Sequence, residues 1–336
     1  MILLIVMIAV IAIIGTSSSF VGNLPDEWNT FKMIHSKVYK SQKEELLRYK
    51  VYMENKALIA NHNRLAHEGH HSYFLKMNHF GDLLPFEIAA MNGHKFSEYK
   101  RVKWPKKSYT TFIAPEGFEA PKTVDWRTKG GVTEVKDQGK CGSCGAFAAT
   151  GSLEGQHFRK TGKLISLSEQ QIVDCIPLDV CIFGINQELA FEYIKRNKGI
   201  NTEKSYPYVS GNTGHAQGHC EFNKSTIGAT DVGFVNILSG DEDALAKAVA
   251  ANGPVSISVD VSGYNFAFYS HGVYDHDKCG KEKKDLGHAM VIVGFGPDFW
   301  IVKNSWGKTW GMEGYIMWKK GINLCGISTS AIYPLV

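Results

Sequence analysis

The sequence predicts an α+β protein: a helical front segment, then a body whose first half is helical and whose second half is made of strands. Three observations carry this. A stripe of side chains recurs at helical steps between residues 44 and 63. Helical spacing dominates from about 144 to 197, and β-branched and aromatic runs bounded by glycine or proline dominate after residue 253. At 336 residues the chain has room for about two domains. Its 44% hydrophobic and 21% charged content excludes a disordered chain, a collagen and a multi-span membrane protein. The net charge of +4 is too small to suggest a nucleic-acid binder.

The charge is unevenly placed. Residues 1–119 hold 15 basic and 11 acidic side chains, the whole excess, while the remaining residues hold 22 of each. Seven of 13 histidines also lie before residue 120, whereas all seven cysteines lie between Cys141 and Cys325. Ile2 to Ile14 is an unbroken apolar run of 13 residues followed by Gly15-Thr16-Ser17-Ser18-Ser19. A bilayer crossing needs ~20 apolar residues, so this run reads as the core of a signal peptide. Entry into an oxidising route lets seven cysteines form three bridges and leave one free thiol. Asn223-Lys224-Ser225 is the single glycosylation sequon.

In the front segment, Ser41 and Glu44 are spaced as a capping box, so a helix starts near residue 42. Glu44, Arg48, Tyr52, Asn55, Ile59 and Asn63 follow on one face, and Glu44 and Arg48 are spaced for an i,i+4 ion pair. A helix docked on its own core shows an apolar stripe, and this one is largely polar. Residues 95–109 are basic and read as an exposed linker suited to processing.

In the body, helices are expected from Cys144 to about Arg159, after Ser166–Ser168, over Gln187–Asn197, and from a cap at Asp241 to before Gly253. Strands are expected at Val255–Val259, Ala289–Phe295, Phe299–Lys303 and Gly314–Trp318.

The chemistry centres on Gln138-Gly139-Lys140-Cys141-Gly142-Ser143-Cys144. A thiol at a helix N-terminus feels the positive end of the dipole, which favours thiolate over its free pKa of ~8.5. Gln138 offers an amide donor nearby, His288 in Gly287-His288-Ala289 a cationic partner, and Asn304 in Lys303-Asn304-Ser305-Trp306-Gly307 a means of orienting the imidazole. Taken alone, Cys141-x2-Cys144 also reads as a zinc or redox pair, but no second pair or histidine cluster stands near it.

The front stripe resembles the E-x3-R-x3-F-x2-N-x3-I-x3-N signature of cathepsin L-like propeptides, with Tyr52 in place of Phe. Asn78-His79-Phe80-Gly81-Asp82 resembles the second signature, G-x-N-x-F-x-D, with Lys76 at its first glycine. The body resembles the papain-like cysteine peptidases in C-G-S-C at Cys141–Cys144, with His and Asn far downstream, here 144 and 160 residues beyond Cys144. Ala120 to Arg127, Ser166 to Gln170, Ser205 to Tyr208, Gly253 to Ser256, and Trp306-Gly307 through Trp310-Gly311 to Gly314-Tyr315 match as well. The resemblance implies a signal peptide at 1–19, an inhibitory propeptide at 20–119 that crosses the active-site cleft backwards, and a peptidase domain at 120–336 with a helical left domain and a β-barrel-like right domain.

It further implies Cys144 as nucleophile, His288 as acid/base, Asn304 orienting His288 under Trp306, and Gln138 in the oxyanion hole, with acyl transfer through a thioester. Substrate would meet Gly142, Gly184, Ile185, Asn186, Ser258, Leu286, Gly287, Ala289, Trp306 and Ser330, of which Ile185, Asn186, Ser258, Leu286, Ala289 and Ser330 form an uncharged S2 pocket. The implied disulfides are Cys141–Cys181, Cys175–Cys220 and Cys279–Cys325. No cofactor or metal is implied. The implied partners are protein and peptide substrates, the chain's own propeptide and cystatin-type inhibitors, and the implied setting is the lysosome or the exterior.

Three departures surround the cleft. Gly145 follows the nucleophile where the family has Trp, Cys181-Ile182-Phe183-Gly184 replaces Cys-Asn-Gly-Gly, and Gly287 precedes His288 where Asp or Asn is usual. They keep open a second class, a catalytically weak papain-fold binding or storage protein. At Gly145 the expectation is a loosened helix start, with Ile182 and Phe183 able to occupy part of the space of the missing Trp. The seven front histidines, His35, His62, His67, His70, His71, His79 and His94, lead to the expectation of acid-triggered processing.

Overall fold

The computed structural model describes residues 25–93 and 110–336. The signal peptide expected at 1–19, His94 and the basic linker at 95–109 lie outside the described residues.

The chain divides into two compact units, Met1–Leu46 and Leu47–Val336. In the first, helix α1 (Asp26–Ile34) carries Asp26 and Glu27 in its first turn, where they complement the dipole, and buries Trp28 and Phe31. The Trp28 indole stacks on Phe31 and Tyr39 and donates to Glu45, which also pairs with Lys32.

Helix α2 (Gln42–His67) begins where the capping box placed it: Ser41 Oγ accepts from the Glu44 amide at 3.2 Å, and Glu44 reaches back to the Lys40 amide at 2.9 Å. Within the second unit, its polar stripe reads the main chain of the residues that follow. Asn55 donates to the Gly81 carbonyl, and Asn63 both donates to and accepts from Leu75. Arg48 finds its partner 39 residues away, as a bidentate pair with Glu87 at 2.5 and 2.8 Å. Strand β1 (Tyr73–Leu75) and helix α3 (Pro85–Met91) are thereby fixed to α2.

After strands β2 (Thr110–Thr111) and β3 (Val124–Asp125), the body is helical as expected. Helix α4 (Cys144–Thr161) ends on Gly162 in the left-handed conformation. Helix α5 (Glu169–Cys175) is capped by Ser168, and α7 (Gln187–Asn197), after the short α6 (Val180–Phe183), by Asn186. Strand β4 (Ile200–Asn201), the turn α8 (Ser210–Thr213) and β5 (Ile227–Ala229) follow, with β4 and β5 pairing by themselves. Then come β6 (Gly233–Asn236), α9 (Glu242–Asn252, capped by Asp241), β7 (Val255–Val259), β8 (Tyr269–Tyr274), β9 (His288–Phe295), β10 (Phe299–Lys303), β11 (Tyr315–Lys319) and β12 (Ser330–Leu335).

Ten strands form one sheet in the order β1-β8-β11-β10-β9-β7-β12-β6-β2, with β3 on β9. The path is open, so the barrel-like half is a sheet with two edges rather than a closed barrel among the described residues. Both edges are covered by the front segment, β1 antiparallel on β8 and β2 parallel on β6. The front also enters the core, since Ile59, Tyr73, Leu75, Phe80 and Ile88 join the main apolar cluster under the sheet. Helix α4 is buried nearly all round and lies against β9, where Cys144 and Ala148 pack with Ala289, Val291 and Val293.

Removing Arg48 takes the bidentate cation away from the Glu87 carboxylate. In a Cys144→Ser zymogen at pH 7, Arg48→Ala should lower stability by about 2 kcal/mol, and adding Glu87→Ala should cost less than the sum of the two single changes. Additive losses of melting temperature would show that the pair does not fasten α3 to α2.

Candidate active site

Cys144 begins α4 and is fully buried, as is His288 at the first position of β9. The packing of α4 on β9 brings together two residues 144 apart in sequence. The identity of each donor around the imidazole follows from the main chain. The Ser305 amide can only donate, and it lies 2.8 Å from Asn304 Oδ1. That oxygen is therefore the acceptor, and His288 Nε2, also 2.8 Å away, donates to it. His288 Nδ1 is left with its lone pair, buried and without a hydrogen-bond partner among the described residues. The Trp306 ring covers the imidazole at 5.0 Å between centroids and is itself buried.

Gln138 is oriented with equal definition. Its Oε1 accepts from Ser305 Oγ at 2.7 Å, so Nε2 points the other way and donates to the carbonyls of Met91 at 2.9 Å and Cys141 at 3.0 Å. Met91 is the last residue of α3, in the front segment. Two residues on, the Gly93 amide faces the Cys144 sulfur and, with the amides of Ala289, Gly145 and Cys144 itself, favours its charged form. Front main chain thus occupies both the amide donor and the thiol. It passes there through three glycines: a Cβ on Gly184 would fall 0.9 Å from the Gly93 oxygen, and one on Gly142 would fall 2.8 Å from the Gly93 Cα. Gly184 also has φ +73°, a conformation that excludes most side chains.

Burial under this segment sets the protonation state. It pushes the Cys144 thiol up to about 11, against its backbone donors. It pulls His288 down to about 4, and the bond to Asn304 offsets this only in part. The helix dipole led to the expectation of a thiolate; in the covered site desolvation outweighs it, and thiol and imidazole are both neutral.

The remaining expected residues fall as follows. Cys141 is bonded to Cys181, Cys175 to Cys220 and Cys279 to Cys325, and Cys144 is free. With Cys141 in a disulfide, the reading of Cys141 and Cys144 as a zinc or redox pair falls. Ser330, Ser258 and Ala289 are cross-strand neighbours in one row over β12, β7 and β9. Ile185 and Leu286 are buried, and the Gly287 amide bonds to Val259. Asn186 is committed to capping α7, and the Ser258 hydroxyl is engaged by Gln187. Asn223 is exposed, with its Oδ1 accepting from the Ser225 amide and hydroxyl.

Sequence reasoning missed Met91 and Gly93, and also a buried charge cluster behind the site. Lys136 Nζ bonds Glu169 at 2.7 Å, Glu154 at 3.4 Å and the Leu167 carbonyl. Thr133 Oγ1 donates to Glu154, and Lys303 Nζ donates to the Thr133 carbonyl at 2.9 Å. Burial pulls Lys303 down to about 8 and pushes Glu169 up to about 7; it also opposes the Lys136 charge, but the surrounding carboxylates outweigh it and hold that ammonium firmly charged. The position of Lys303 beside Asn304 was the available signal.

A thiol at a helix start, an imidazole with a bare Nδ1 and an amide donor sealed by main chain define a thiol hydrolase closed by its own N-terminal segment. Comparison with known proteins agrees. Residues 120–335 match the papain family cysteine protease model, and residues 28–88 match the cathepsin propeptide inhibitor domain. The chain belongs to the papain family of cysteine proteases, and it is a cathepsin L-like endopeptidase zymogen. It is 48% identical to Cathepsin L1 of Drosophila melanogaster over 96% of this chain and 88% of that protein, and 47% identical to a cathepsin L-like peptidase of Aedes aegypti over 99% of each. Digestive procathepsin L 3 from the larval midgut of Tenebrio molitor has a similar structure, with TM-score 0.82 and 37% identity over 92% of this chain and 98% of that one. None of these findings favours a binding or storage protein.

With the thiol pKa pushed up to about 11 by burial, the zymogen site holds the neutral thiol at pH 7. Alkylation of the zymogen by iodoacetamide should therefore be slow at pH 7 and rise steadily to pH 9. A rate that has levelled off by pH 6 would mean that the ion pair already exists under the propeptide.

Proposed function

We propose that Cys144, His288, Asn304 and Gln138 carry the peptidase chemistry, with the front segment as a backward-running occupant of their site. The observation that carries this reading is the paired contact of Met91 with Gln138 and of Gly93 with Cys144. Once the segment leaves, water returns and the desolvation penalty on a thiolate–imidazolium pair falls, so the Cys144 proton moves to His288 Nδ1. The sulfur attacks the scissile carbonyl, and the oxyanion is held by Gln138 Nε2 and the Cys144 amide. The imidazolium gives its proton to the leaving amine as the C–N bond breaks. Water, deprotonated by His288, then cleaves the thioester and frees the acid. Labelling of Cys144 by an irreversible epoxide, together with turnover of a fluorogenic dipeptide, tests this. Loss of both in His288→Ala is the expected result, and full activity in that variant overturns it.

The mature enzyme on this reading is residues 120–336, released by cutting in the 95–119 region, where Ile113 is exposed. Leader and sequon support passage through the secretory route to a lysosome or the exterior, with a glycan on Asn223 and cystatin-type proteins as inhibitors. Among the described residues, no helix is long and apolar enough to cross a membrane.

The S2 walls offer Ile185, Leu286 and Ala289 but no charge, and the polar groups of Asn186 and Ser258 are engaged within the fold. Substrates with Leu, Val or Phe at the second residue before the cut should be preferred, and Arg there should lose at least ~10-fold in kcat/KM because its charge would be buried unpaired. A measured preference for Arg over Leu refutes this pocket.

Release is assigned to acid, with His62 as the principal sensor. Its Nε2 donates to the Tyr73 carbonyl at 3.0 Å, its Nδ1 faces the Asn265 amide at 3.5 Å, and its ring stacks on His71 at 4.3 Å. Burial lowers its pKa below 6.5, and His71 and His276 add to this, while the Tyr73 carbonyl and Asp275 favour charge. His276 is itself lowered by burial, with Lys278 and His71 opposing its charge and Asp277 and Asp275 favouring it. A histidine whose docked pKa lies below its released value leaves docking unaffected above pH ~6.5 and weakens it progressively below. The zymogen should stay latent at pH 7 and mature below about pH 5.5, with His62→Gln lowering the midpoint by roughly half a unit. Equal rates at pH 7 and pH 5 would sink the idea.

A further inference from the structure

Gly145 stands one residue after the nucleophile, in the first turn of α4. It is not among the residues with positive φ, so its backbone conformation does not call for glycine. Space does. A Cβ on Gly145 would lie 1.8 Å from the Ile185 carbonyl oxygen, 2.8 Å from its carbonyl carbon and 3.2 Å from its Cγ2. The nearest neighbours all belong to Ile185. At the Cβ position itself the neighbour is the main chain of residue 185, and Ile182, one of the two residues expected near this space, is half exposed to solvent.

That main chain is held from both sides. Upstream, Cys181 is bonded to Cys141 and its carbonyl accepts from Gly142, Asp179 caps α6, and the Gly184 amide bonds to Val180. Downstream, Asn186 caps α7, and Gln187 anchors that helix start to the Ile257 carbonyl and to Ser258. Between these anchors stand Gly184, against which the cleft-bound Gly93 lies, and Ile185, against which Gly145 lies. A displacement of the Ile185 carbonyl has little room to dissipate before it reaches Gly184.

We propose that Gly145 is a positioning residue for substrate: by lacking a side chain it seats the Ile185 carbonyl against α4, and so sets how far the Gly184 main chain stands from Cys144. This rests on the reading of Gly184 as the glycine that faces bound substrate. A group at 145 displaces the substrate's main-chain partner and leaves the sulfur and imidazole where α4 and β9 hold them, so the loss falls on binding rather than on the chemical step.

The test is Gly145→Ala in the full-length zymogen, matured by acid, with active sites counted by an irreversible epoxide and a Leu-containing fluorogenic dipeptide as substrate. KM should rise about 10-fold or more, kcat should stay within about 3-fold, and the pH profile of kcat should not move. A fall in kcat at unchanged KM overturns the proposal, because the glycine would then serve the nucleophile's helix. No change in either constant overturns it too. If Gly145→Ala does not mature, the Cys144→Ser zymogens decide. Gly145→Ala must then melt well below Gly151→Ala, a glycine of the same helix whose added Cβ would meet only the Val291 side chain, at 3.1 Å; equal melting overturns the proposal. Failure of the unmodified enzyme to label or turn over would instead refute the assignment of Cys144 and its partners.

Discussion

The packing of α4 along β9 is the contact on which the rest depends. Cys144 starts the helix and His288 starts the strand, so one apolar interface of Ala148, Ala289, Val291 and Val293 sets the relation of the thiol to the imidazole. Everything else in the site is hung from these two elements or their neighbours. Asn304 directly follows β10, which pairs with β9, and Gln138 is tied to Ser305 through both main chain and side chain. Rigid elements carry the groups proposed to react, and acyl transfer gains from such positioning.

The same burial that fixes the geometry silences the chemistry. A thiolate and an imidazolium favour each other, but each must first leave water, and the front segment removes that water. Neutral thiol and neutral imidazole are the outcome, without any change in Cys144 or His288 themselves. Inhibition is thus a matter of desolvation as much as of occupancy. It is delivered by main chain, through Met91 and the close approach of Gly93 to Gly142 and Gly184.

Behind the site, buried Lys303, Glu154 and Glu169 and the half-buried Lys136 are in contact through Thr133, Thr150 and the Leu167 carbonyl. Buried charges are tolerated where every group is bonded, and such a cluster is worth more as a fixer of geometry than as a source of stability. Lys303 directly precedes Asn304, so its anchorage to Thr133 holds the end of β10 where the orienting amide stands.

Local signals in the sequence were enough to place α2, α5 and α9, because each is announced by a cap that acts within four residues, Ser41, Ser168 and Asp241, and α7 by the helical spacing of Leu189, Tyr193 and Ile194. The strands at 255–259 and 299–303 were legible for a similar reason, their β-branched runs being bounded by turn residues. The polar stripe of α2 was visible too, as was its mismatch with a helix lying on an apolar core. Its meaning was not, because Asn55 and Asn63 bond to the main chain, which has no sequence signature, and Arg48 takes Glu87 in preference to a reading by local spacing. The neutral state of Cys144 and His288 is likewise a tertiary property, since desolvation depends on what covers a group and not on its neighbours in the chain. Gly145 shows the boundary most clearly. The sequence alone determined that a side chain was missing beside the nucleophile; only the fold decided that the Ile185 carbonyl stands in its place, because that approach joins residues 40 apart through a disulfide and two helix starts.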